Sequence, residues 1–102
     1  MATTSLLTDH YELTMLQAAL ASGTAHRRCT FEVFTRRLPA SRRYGVLAGT
    51  GRFLEGLQSF RFDDEDLSFL ASRNIVNAQT LKYLENFRFT GNIRGYVEGE
   101  IF

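Results

Sequence analysis

The sequence predicts an α+β domain, on three observations. There is a helix-periodic stretch over about 9–22 behind a capping residue, an alternating stretch over 29–36, and two further helical patterns after Thr50 and after the acidic run at 63–66. At 102 residues, 44% of them apolar and 13% aromatic, the chain reads as one globular domain or part of one, with a modest core. No linker or internal boundary is visible across 1–102.

The first helix is the most strongly marked. Asp9, followed by Glu12 at the third helical position, makes a capping-box pattern in which each carboxylate satisfies an otherwise free backbone N–H. Leu13, Leu16 and Leu20 then repeat at helical spacing with Ala19 beside them, and Gly23 supplies a stop. His10 and Tyr11 in the first turn are not required by a short helix. They stand at the positive end of its dipole, where anions are favoured.

In the next segment Cys29, Phe31 and Val33 alternate with Thr30, Glu32, Phe34 and Arg36, which predicts a strand with the Cys29 side buried. The mixed second face suggests a subunit contact or a site wall; a cross-strand ion pair on a solvated face competes with that reading. Residues 37–43, around Pro39, predict a loop basic enough to hold a phosphate, or simply to be solvated. Residues 44–49 predict a short strand or turn, and Thr50 then caps a helix whose Phe53, Leu54 and Leu57 face the core. Asp63, Asp64, Glu65 and Asp66 put negative charge in the first turn of a helix carrying Leu67, Phe69 and Leu70. Asn77 or Thr80 begins a fourth helix with Leu81, Leu84 and Phe87. Phe60-Arg61-Phe62 and Phe87-Arg88-Phe89 echo each other after helix ends. The last stretch opens on a Gly91-Asn92 turn, shows strand-like Ile93, Tyr96 and Val97, and stops on Ile101-Phe102, as expected of a chain cut short.

Composition removes several function classes. Twelve basic against eleven acidic residues leave a net charge of +1, which argues against general attraction to nucleic acid or membrane. The basic residues are all Arg except Lys82, a bias that suits bidentate phosphate or carboxylate contacts and that a GC-rich genome also produces. Cys29 is the only cysteine, so no intrachain disulfide forms, and it reads as an inert core thiol. The start lacks the basic region of a signal peptide, and no apolar run approaches the roughly 20 residues of a membrane span, so residence in the cytoplasm is expected.

Familiar catalytic patterns are missing. Gly49 and Gly51 are followed by Leu54 where a dinucleotide fold wants Gly or Ala, and no Gly-Lys-Ser/Thr completes a phosphate loop. The acidic run lacks calcium-loop spacing, and no metal site is expected. His10 and His26 have no partners at catalytic spacing.

Three stretches, in order, carry a resemblance: Thr8-Asp9-His10-Tyr11-Glu12-Leu13-Thr14-Met15, Phe31-Glu32-Val33-Phe34-Thr35-Arg36-Arg37-Leu38-Pro39, and Tyr44-Gly45-Val46-Leu47-Ala48-Gly49. Together they resemble the N-terminal part of the nicotinate phosphoribosyltransferases, from about Leu6 to Phe102. The resemblance implies the helix and strand domain of a type II phosphoribosyltransferase whose α/β barrel lies beyond this chain. It implies an enzyme of NAD biosynthesis that joins nicotinate to phosphoribosyl pyrophosphate, makes nicotinate mononucleotide and pyrophosphate, couples this to ATP hydrolysis through a phosphorylated histidine, and uses Mg2+. It implies a homodimer with shared active sites. On it, Tyr11 lies against the pyridine ring, Asp9 fixes the placement of Tyr11, and Arg36 or Arg37 supplies charge to a phosphate or to pyrophosphate. The catalytic residues and the phosphorylated histidine fall outside this chain, which alone is expected to be inactive, and neither His10 nor His26 takes that role. Two positions depart from the pattern: Thr35 replaces a second Phe, and Ala40-Ser41-Arg42-Arg43 replaces a Gly-rich turn. Enzymes using nicotinamide or quinolinate, and a non-catalytic dimerisation domain, are the competing readings.

Overall fold

The computed structural model describes residues 2–102. Among these residues the regular structure is helical, in the order α1 (His10–Ser22), α2 (Thr50–Gln58), α3 (Asp64–Ser72) and α4 (Ala78–Glu85). The expected α+β architecture is corrected accordingly: the described residues form helices joined by irregular segments, without a strand.

Three helices make the core. Leu13 of α1, Leu70 of α3 and Leu84 of α4 are buried with Phe62 and Val76 from the connections, and Leu6, Leu16, Phe60, Leu67, Leu81 and Tyr83 pack around them. The two Phe-Arg-Phe stretches meet there, because the Phe60 ring stands edge-on to both Phe62 and Phe87 at centroid distances of 5.7 and 6.0 Å.

Helix termini follow local chemistry. α1 stops as expected at Gly23, whose φ of 79° lets its N–H reach the Leu20 carbonyl while the Thr24 N–H reaches that of Ala19 at 2.9 Å. α3 ends the same way with Asn74, φ 52°, in the left-handed position. Asp63 and Asp66 form a full capping box at the start of α3. Asn77, the first of the two expected starts, caps α4 by accepting from the Thr80 N–H at 2.9 Å. The Gln17 side chain of α1 also accepts the Asn77 N–H at 2.6 Å, so α1 is tied to the start of α4.

Several expectations are overturned. The stretch 29–36 forms neither helix nor strand and pairs with no other described segment, with Phe31 91% and Val33 97% exposed. Alternation defines two faces, yet a strand also needs a neighbour for its backbone groups, and none lies alongside. Cys29, expected in the core, is therefore exposed. Asp9 holds the N-cap position of α1, but its carboxylate makes no capping hydrogen bond. Thr50 is the first residue of α2 rather than its cap, and Gly49, φ 95°, stands before it. Phe53 and Leu54 do not reach the core, since the other three helices close it without α2.

The terminal segment returns to this region. Gly45 and Phe102 exchange backbone hydrogen bonds at 2.8 and 3.0 Å, and Val46 bridges Ile101 in antiparallel register. Leu47 then faces two residues: its carbonyl accepts from the Gly99 N–H and its N–H donates to the Glu100 carbonyl. With Gly99 at φ 85°, this is a glycine bulge that ends the pairing. The bulge turns Glu98 toward α2, where its carboxylate accepts the Gly49 N–H at 2.7 Å and the Thr50 N–H at 3.1 Å. The helix is thus capped from a distant part of the chain. The Phe102 ring covers Gly45 where a Cβ would otherwise sit.

Candidate functional site

The start of α1 gathers two of the four residues expected to touch substrate. Asp9 is extended, with φ −78° and ψ 144°, and the Glu12 N–H donates to its carbonyl at 3.1 Å, so the helix turns directly beneath Tyr11. The Asp9 carboxylate makes no hydrogen bond to the helix amides. Hydrogen bonding to Asp9 above all, then the negative charges of Asp9 and Glu12, push the Tyr11 pKa above the ordinary 10.0.

The Tyr11 ring is 57% exposed. An aromatic face held at a helix start and open on one side can stack on a flat ring supplied from outside this domain. Tyr11 lines neither the shallow hollow of about 510 Å³ between α1 and α4, bordered by Lys82, Tyr83 and Phe87, nor the smaller acidic one at the start of α3.

Arg36 and Arg37 stand on an irregular segment, both exposed. Among the described residues neither donates a hydrogen bond to the α1 start, so the four expected positions form one pair and one separate basic edge. Among the same residues no group of three His, Cys, Asp or Glu is placed to hold a metal ion. No helix is long and apolar enough to cross a membrane.

The sequence reading missed Asp66. Its Oδ2 accepts from the Thr3 hydroxyl at 2.5 Å, the Ser5 hydroxyl at 2.8 Å and the Asp63 N–H at 3.0 Å. Partial burial alone would raise the Asp66 pKa, but the donors from Thr3, the Asp63 backbone and Ser5 outweigh it and hold the carboxyl below the ordinary 3.8. Ser5 is itself only 3% exposed. No local pattern announces this contact, because its partners lie 61 and 63 residues apart.

Comparison with known proteins gives a consistent result. The family described as the nicotinate phosphoribosyltransferase (NAPRTase) N-terminal domain matches residues 6–102. The nicotinate phosphoribosyltransferase pncB1 of Mycobacterium tuberculosis is 59% identical over 97 residues, which is 95% of this chain and 21% of the relative. The pncB2 protein of the same organism is 41% identical over 100 residues, again 95% of this chain and 21% of the relative. The human nicotinate phosphoribosyltransferase is 39% identical over 67 residues, 66% of this chain and 12% of its own length. The chain thus spans about a fifth of the first two relatives. No solved structure matches it.

Proposed function

The chain belongs to the nicotinate phosphoribosyltransferase N-terminal domain family, and on that premise we propose that it forms the substrate-facing N-terminal domain of an enzyme making nicotinate mononucleotide and pyrophosphate from nicotinate and phosphoribosyl pyrophosphate. One observation carries the reading: within the matched span, Tyr11 stands in the first turn of α1 beside Asp9 and Glu12 and is 57% exposed.

In this reading Tyr11 stacks on the pyridine ring and keeps water from the ribose carbon as positive charge develops there. Asp9, whose carbonyl accepts the Glu12 N–H, fixes the first turn of α1 and thereby the placement of the ring. Arg36 or Arg37 neutralises a phosphate or the departing pyrophosphate by charge-assisted hydrogen bonds. Coupling to ATP hydrolysis and the use of Mg2+ belong to the same proposal. A homodimer with shared sites is proposed as well, supported by the exposed apolar row of Phe31, Val33 and Phe34.

The test is steady-state kinetics of the complete protein with nicotinate, nicotinamide and quinolinate. Turnover with nicotinate is expected, Tyr11→Phe is expected to keep most activity, and Tyr11→Ala to raise the nicotinate KM by about threefold or more. Unchanged kinetics in the alanine variant would remove Tyr11 from the site. Turnover only with another pyridine would replace the substrate.

A further inference from the structure

We infer that Asp66 is a positioning residue for the pyridine site, acting through the segment ahead of α1: by holding Thr3 and Ser5 it sets where α1 begins and therefore where the Tyr11 ring stands. The inference rests on the assignment of Tyr11 to substrate binding.

The helix starts differ in what fixes them. α3 and α4 are fixed by side chains of their own N-cap residues, Asp63 and Asn77, and α2 by the Glu98 carboxylate. α1 has no side-chain cap hydrogen bond from its N-cap residue Asp9. A helix start without a local cap takes its placement from the chain that leads into it.

That chain is tied down firmly. Thr3 and Ser5 both donate to Asp66 Oδ2, and Ser5 is buried. The Leu7 N–H closes a turn onto the Thr4 carbonyl at 3.0 Å, and Leu6 packs against the core. Only Thr8 then separates this anchored turn from Asp9. Displacing the anchor shifts Tyr11 directly, and a stacking contact is sensitive to shifts on the order of 1 Å. Asp66 spends the same oxygen on the Asp63 N–H, so the α3 cap and the leading segment share one rigid acceptor.

The experiment separates positioning from stability in the complete protein. The double variant Thr3→Val, Ser5→Ala removes both hydroxyls and leaves the α3 capping box intact. It is expected to raise the nicotinate KM by about threefold or more, with kcat changed by less than about twofold. Thr3→Ser with Ser5→Thr, which keeps both hydroxyls, is expected to restore KM. Asp63→Ala, which breaks the α3 cap but leaves the leading segment in place, is expected to lower Tm without moving KM. An unchanged KM in the double variant beside a raised KM in Tyr11→Ala would overturn the role of Asp66 alone. An unchanged KM in Tyr11→Ala would overturn the substrate assignment and this inference with it. A KM that follows Tm across all the variants, Asp63→Ala included, would reduce Asp66 to a structural residue.

Discussion

A single oxygen of Asp66 receives two hydroxyls and a backbone amide, which is the arrangement that favours the ionised form of a carboxyl. Its folded pKa lies below the ordinary 3.8. The unfolded chain therefore binds the proton more tightly than the folded one. The stabilisation is fully present above the unfolded value and drains away as pH falls through the folded value. Acid titration of stability, followed by circular dichroism, is expected to fall more gently in Asp66→Asn than in the parent over that window. Equal slopes would deny Asp66 a part in acid stability. At Tyr11 the signs are reversed in origin: neighbouring carboxylates oppose ionisation of the phenol and push its pKa up.

At the level of elements, the Glu98 cap has a measurable weight. Glu98→Ala leaves the Gly49 and Thr50 amides without their carboxylate, and by analogy with N-cap removal it is expected to cost about 1 kcal/mol. Backbone NMR of 49–58 checks this through loss of helical shifts in α2, with α3 and α4 unaffected. Elements whose signals are local were legible in the sequence. α1 and α3 begin within a residue of where cap and periodicity place them, α4 begins after Asn77, one of the two starts expected, and Gly23 ends α1 as expected. What depended on distant partners was not. Glu98 lies 49 residues from the amide it caps, so Thr50 was the nearest available candidate. The 29–36 alternation is real, but pairing is a property of two segments and the described chain supplies one. For the candidate site, Tyr11 and Asp9 are proposed from a contiguous stretch, whereas the Asp66 contact to Thr3 and Ser5 exists only in three dimensions.

Over the whole molecule, the radius of gyration of 16.5 Å exceeds the roughly 13 Å of a compact chain this long. The excess comes from the region outside the three-helix core, where Phe34, Phe53, Ile93, Tyr96 and Val97 are exposed. Within the core, α3 and α4 are joined by a short connection and pack on each other. The pairing of 45–47 with 99–102 spans about half the sequence. Short loops close at lower entropic cost than long ones, so the α3 and α4 hairpin assembles early and the terminal pairing last. Amide hydrogen exchange is expected to show Gly45, Leu47 and Phe102 opening before Leu70, Thr80 and Leu84. The reverse order would mean that the terminal pairing nucleates the domain. With Glu98 attached to that pairing, the start of α2 acquires its carboxylate only once residues 99–102 have folded back onto 45–47, which makes this helix conditional on a contact made half the domain away.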